Sequence, residues 1–199
     1  MKAEDVKKIA VIGAGDMGHG ITAAFLLGDY DVVMRDIEQK FLDKGIASIK
    51  ASFDKFKEKG KLTPEAYDEA LARLTTTVDL QEAVKEADFI IEAVPEMLEL
   101  KQSVFTDLDK YAPKHAILAS NTSNISITDI ASATKRADKV IGYHFFNPAV
   151  LMKLVEVIKG EKTSDESIQV GYDIAQKIGK VPVIVQKDSP GFIYNRVNE

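Results

Sequence analysis

Apolar positions along this chain follow two alternating rhythms. Short apolar runs, Ile9-Ala10-Val11-Ile12, Val32-Val33-Met34, Phe89 to Val94, Ile117 to Ser120 and Val140 to Phe145, have the length of strands covered on both faces. Between them lie helix-compatible segments, Met17 to Leu27 closing at Gly28, Leu98 to Tyr111 and Ile127 to Ser132. In the longest, Leu42, Ile46, Ile49, Phe53 and Phe56 recur at spacings of four and three, which puts them on one face of a helix whose other side is rich in lysine. Thr63-Pro64-Glu65 marks a helix start, Thr75 to Val78 a short β-rich stretch, and Leu80 to Glu86 another turn or two of helix. Beyond Asn147-Pro148, Met152 to Ile158 reads as strand, Ser164 to Ile178 as helix ending at Gly179, and Val181 to Val185 as strand.

This alternation predicts an α/β fold, a Rossmann-type doubly wound and mostly parallel sheet spanning residues 1–188. Ser189-Pro190-Gly191 interrupts it, and residues 189–199 read as the start of a helical region.

Composition narrows the function classes. With 199 residues, 45% hydrophobic and 29% charged, the chain can bury a full core. A formal net charge of -5 argues against a nucleic-acid binder. The absence of cysteine excludes disulfides and thiolate metal sites and suits a reducing compartment; no other metal-binding motif is present. The apolar run after the charged first residues is too short for a signal peptide or a membrane span, so a cytoplasmic protein without a membrane partner is expected.

Gly13, Gly15 and Gly18 form G-x-G-x-x-G directly after a strand and at the mouth of a helix, where bare backbone lets a pyrophosphate approach the helix amides. Such a turn alone also occurs for structural reasons. Asp36, at the end of the second strand and 21 positions after Gly15, is placed to accept hydrogen bonds from the adenosine ribose, so a dinucleotide is expected. A carboxylate there repels the extra phosphate of NADP and favours NAD, although Arg35 beside it either meets that phosphate or pairs with a nearby acid.

His144 stands where an apolar strand gives way to Phe146-Asn147-Pro148, at the kind of strand end that lines a ligand crevice in this fold. It is either a proton-exchanging group or a core histidine satisfied by a carbonyl. Glu156, inside Leu154-Val155-Glu156-Val157-Ile158, either faces solvent by alternation or is buried against a cation. In the second case it would orient the His144 ring and stabilise its imidazolium. His19 and His115 have no comparable setting.

The segments Val11-Ile12-Gly13-Ala14-Gly15-Asp16-Met17-Gly18, Ala119-Ser120-Asn121-Thr122-Ser123, His144-Phe145-Phe146-Asn147-Pro148 and Ser189-Pro190-Gly191-Phe192 together resemble the L-3-hydroxyacyl-CoA dehydrogenases, from Val6 onward. The resemblance implies that His144 is the catalytic base with Glu156, twelve positions on, as its partner. It implies that Ser123 and Asn195 hydrogen-bond the reacting oxygen, and that Asn147 lies near both nicotinamide and acyl group; Ser123 also reads as a turn or helix-cap residue. Asp16, Met17, Glu96 and Lys101 fall at cofactor-contacting positions by the same resemblance, although Glu96 and Lys101 in isolation read as surface charges. Ser52 and Lys59 match positions that contact CoA, with Lys55 nearly aligned on the same helical face, which alone reads equally as a solvated basic face.

The activity so implied is interconversion of (S)-3-hydroxyacyl-CoA, 3-hydroxybutyryl-CoA foremost, and 3-oxoacyl-CoA with NAD as hydride carrier. Family members continue beyond Asn195-Arg196 into a helical domain through which they form homodimers; residues 189–199 would retain only its start. Two alternatives stand beside this reading, a dehydrogenase of a free hydroxy acid and a non-catalytic NAD-binding module.

Overall fold

The computed structural model describes residues 1–197, so Asn198 and Glu199, the last two residues of the expected helical start, lie outside the described residues. The strands are β1 (Lys8–Ile12), β2 (Asp31–Arg35), β3 (Leu74–Thr77), β4 (Phe89–Glu92), β5 (Ile117–Ser120), β6 (Val140–Phe145), β7 (Leu154–Lys159) and β8 (Val181–Val185). The helices are α1 (Asp16–Leu27), α2 (Gln39–Glu58), α3 (Pro64–Ala72), α4 (Leu80–Val84), α5 (Leu98–Tyr111), α6 (Ile127–Ala131), α7 (Asp165–Lys177) and α8 (Tyr194–Val197).

The strands form one sheet in the order β3-β2-β1-β4-β5-β6-β7-β8. β1 lies between β2 and β4 and is parallel to both. The chain winds outward to β3 on one side and then returns past β1 to β4, which makes the edge between β1 and β4 the switch point where α/β sheets bind ligands.

The pairing of β6 with β7 is antiparallel, because the short 146–153 connection carries no crossover helix. β7 begins at Leu154 rather than Met152: the carbonyls of Ala149 and Met152 are held by the Lys180 ammonium, and Leu151 and Met152 both bond back to Pro148 in a tight turn.

Two apolar layers sandwich the sheet. One gathers Val11, Phe25, Met34, Leu42, Ile49, Phe53, Tyr143 and Val157, the other Ile12, Ile90, Phe105, Leu118, Val140 and Phe192. In α2, Leu42, Ile49 and Phe53 are fully buried and Ile46 and Phe56 pack against the same layer, as their periodicity requires. Among the described residues no helix is long and apolar enough to cross a membrane.

Candidate active site

The glycine turn fills the gap between β1 and α1. A Cβ added at Gly18 would stand 1.8 Å from the carbonyl oxygen of Gly13, so only hydrogen allows the helix to start this close to the strand. A Cβ at Gly15 would meet nothing within 4 Å, and Gly15 caps α1 without supplying a side-chain partner to the first amides. The open space before those amides belongs to a cavity of about 690 Å³, lined by Gly13, Gly15, Asp16, Met17, Asp36 and residues of β4's exit. These features fit a dinucleotide: a clear approach to a helix N-terminus for an anionic pyrophosphate, and a carboxylate at the end of β2 for a ribose.

Asp36 accepts hydrogen bonds from the amides of Ala14 and Ile37, each 2.7 Å, which fixes its carboxylate against the turn. Arg35 also lines the cavity, and its Nε donates to the Val78 carbonyl at 3.1 Å, not to an acid as its simplest sequence reading had it. His19, set aside on sequence, lines the same cavity, its Nδ1 2.8 Å from the carbonyl oxygen of Gly15.

Farther along the same sheet edge, His144 and Glu156 are directly opposed residues of the antiparallel β6–β7 pair, which places their side chains on one face. Glu156 is buried, not solvent-facing, and its Oε2 stands 2.7 Å from His144 Nδ1. Its Oε1 accepts from the amides of Ile193 and Tyr194, at 3.0 and 2.9 Å. Burial pushes the Glu156 carboxyl up, but the His144 contact and these two amides outweigh it and hold the group below its ordinary value.

An ionised carboxylate only accepts, so Nδ1 carries the imidazole proton. The lone pair is then left on Nε2, which faces Ser123 Oγ at 3.3 Å. Phe146 and Phe192 flank the ring at 4.4 and 5.9 Å between centroids and restrict its rotation. This arrangement can take a proton at Nε2 while Glu156 compensates the positive charge.

Asn195 reaches the same place from α8, its Nδ2 donating to the Ser123 carbonyl at 3.4 Å. Asn147, exposed with Pro148, follows Phe146 just beyond the end of β6. Ser52 on α2 and Lys59 at its C-terminal cap lie apart from this group. They continue the face of that helix on which Phe41, Lys44 and Ser48 line the cavity.

Glu96 and Lys101 are not the free surface charges that their positions suggest. Lys101 is 1% exposed, and its ammonium bonds Glu92 at 2.7 Å and approaches Glu96 at 3.3 Å. Glu96 accepts from the Thr122 hydroxyl and from the Ser123 and Asn124 amides. Burial raises its carboxyl pKa, but the Thr122 hydroxyl, Lys101 and these amides pull it below the ordinary range.

Sequence reasoning missed Glu92, which is fully buried at the end of β4. The signal was available: an acid closing the apolar run Phe89-Ile90-Ile91 is as anomalous as Glu156 within β7.

Residues 8–189 match the family model described as 3-hydroxyacyl-CoA dehydrogenase, NAD binding domain. A 3-hydroxybutyryl-CoA dehydrogenase of Clostridioides difficile is 44% identical over 190 residues, which cover 96% of this chain and 67% of the relative. The glyoxysomal fatty acid beta-oxidation multifunctional protein MFP-a of Brassica napus is 41% identical over 192 residues, 96% of this chain but 26% of the relative. The crystal structure of an (S)-3-hydroxybutyryl-CoA dehydrogenase from Ralstonia eutropha superposes with a TM-score of 0.94 at 40% identity, covering 98% of this chain and 68% of that one. The chain thus spans about a quarter of the multifunctional relative and about two thirds of the other two.

Proposed function

Because the chain belongs to the family of 3-hydroxyacyl-CoA dehydrogenase NAD-binding domains, we propose that it binds NAD in the glycine-turn cavity and interconverts (S)-3-hydroxyacyl-CoA and 3-oxoacyl-CoA, with a short acyl chain such as 3-hydroxybutyryl. The observation that carries this reading is the buried His144–Glu156 pair with Nε2 turned toward Ser123, on the same sheet edge as the cavity. NAD, when bound, supplies the hydride acceptor or donor.

His144 Nε2 removes the proton of the 3-hydroxyl in the oxidative direction and returns it in reduction. The Glu156 carboxylate, held ionised by two amides, stabilises the imidazolium formed in between. Ser123 Oγ, already beside Nε2, donates to the reacting oxygen, and Asn195 steadies the Ser123 backbone. Asn147 faces cofactor and acyl group from the turn after β6. Gly13, Gly15 and Gly18 admit the pyrophosphate, Asp16 and Met17 open α1 beneath it, and Asp36 takes the adenosine ribose. Ser52 and Lys59 meet the CoA moiety along α2, where a cation at the helix C-terminus suits a phosphate-bearing ligand.

The test is NADH absorbance after addition of acetoacetyl-CoA to the 199-residue chain, with His144→Ala beside it. The expected result is turnover in the parent and none in the variant, with NADH binding retained in both. Equal turnover in the variant refutes the assignment of the base. Competition by free CoA separates an acyl-CoA substrate from a free hydroxy acid.

A further inference from the structure

Beneath the turn that carries Ser123, two carboxylates and one lysine link three separate stretches of chain. Glu92, at the end of β4, accepts from Lys101 Nζ and from the Val94 amide through Oε1, each 2.7 Å, and from Ser120 Oγ through Oε2 at 2.7 Å. Lys101, in the first turn of α5, also donates to the Val94 carbonyl at 3.2 Å and reaches Glu96 Oε2 at 3.3 Å. The other oxygen of Glu96 receives the Thr122 hydroxyl and the amides of Ser123 and Asn124, the last two at 2.9 and 3.2 Å. The Ser120 hydroxyl closes the circuit by accepting from the Thr122 amide at 3.2 Å.

Such a network is costly. Glu92 is 0% exposed and Lys101 1%, and burying an ion pair takes back in desolvation most of what attraction returns, so well-packed apolar side chains would hold the fold at least as well. What apolar side chains would not do is fix donors and acceptors at set angles. Here every oxygen of Glu92 is engaged, and the outermost link is a carboxylate gripping the two consecutive amides that set the direction of the Ser123 side chain.

We propose that Glu92 and Lys101 are positioning residues, which act through Glu96 to hold the 122–124 turn so that Ser123 Oγ stays within reach of His144 Nε2. The proposal rests on the reading of Ser123 and His144 as the reacting groups. It gives Lys101 a role in the chain before any cofactor binds. The two carboxylates against one ammonium leave a net negative charge beside the turn, and the half-exposed Glu96 carries it at the outer end.

The experiment compares the parent with Lys101→Met and with the double variant Glu92→Gln/Lys101→Met, which removes both buried charges together and keeps one acceptor oxygen for the Val94 amide, its amide nitrogen facing the Ser120 hydroxyl. The double variant serves if Lys101→Met fails to fold for want of a partner for Glu92. Amide hydrogen exchange is followed at Ser123 and Asn124, with Val11 and Ile91 in the sheet as controls of global stability, and the His144 ring is titrated by NMR, where it has only two other histidines for company.

The expected result is exchange at Ser123 and Asn124 about tenfold faster with the sheet amides unchanged, together with a displaced His144 titration curve in the double variant, which loses one charge of each sign and so leaves net charge unaltered. Unchanged exchange at Ser123 and Asn124 overturns the proposal, and so does unchanged exchange accompanied by weaker NADH binding in a fluorescence titration, which would make Lys101 a cofactor ligand only. These readouts need no turnover. They decide the network independently of His144→Ala, whose activity decides the base.

Discussion

Gly15 and Gly18 belong to one motif, yet the structure gives them opposite sensitivities. Alanine at Gly18 would put a Cβ 1.8 Å from the Gly13 carbonyl oxygen and 2.6 Å from its carbon, where ordinary contacts begin beyond 3 Å. Both partners are backbone, so no rotamer change relieves the clash, and the strand–helix junction must open by more than an ångström. Overpacking of this kind costs about 1–3 kcal/mol or more, which for a chain of this size corresponds to a Tm lower by roughly 2–12 °C.

Alanine at Gly15 meets nothing within 4 Å, and the backbone there, φ -67 and ψ -163, is open to any residue. Its Tm should stay within about 2 °C of the parent. The new methyl group projects into the cavity in front of the α1 amides, however, and should raise the NADH dissociation constant by at least about tenfold. Thermal unfolding by circular dichroism and NADH fluorescence titration on both variants check this. Parental NADH affinity in Gly15→Ala, or a parental Tm in Gly18→Ala, would refute the reasoning.

Glu156→Gln should leave the fold and NADH binding near parental while lowering kcat by something on the order of ten-thousand-fold, because an amide nitrogen facing Nδ1 drives the imidazole proton to Nε2 and removes the base; a kcat within tenfold of the parent in the NADH assay would show that the carboxylate does not set the tautomer. Lys180 gives a pH prediction: burial, helped by Lys153, pulls its ammonium down from 10.5 to about 8. The folded chain therefore holds fewer protons than the unfolded one between those values, so this group's penalty on stability is fully present below pH 8 and is relieved as pH rises toward 10.5. The parent should gain Tm relative to Lys180→Met between pH 7.5 and 9.5, values chosen to bracket the about 8 midpoint; a parent-minus-variant difference that stays flat with pH contradicts it.

Much of this protein was legible in one dimension. Runs buried on both faces, separated by amphipathic segments, dictate a parallel sheet with covering helices, since no other arrangement hides the apolar surface of strands such as β1 and β4. The glycine turn and Asp36 were readable because backbone sterics and helix amides act over a few residues, and the local chain alone sets them.

The state of the charged residues was decided elsewhere. Alternation along β7 left Glu156 free to face solvent; it is buried because β7 returns antiparallel to β6 in a register that sets His144 opposite it, and because Phe192 and the amides of Ile193 and Tyr194 close over that face. Lys101 and Glu96 read as surface charges because their partners, Glu92 at the end of β4 and the 122–124 turn after β5, are brought to them by the fold. Sequence periodicity reports which face of an element is apolar, but the ionisation and direction of a buried charge depend on donors that only tertiary packing brings within 3 Å or so of it.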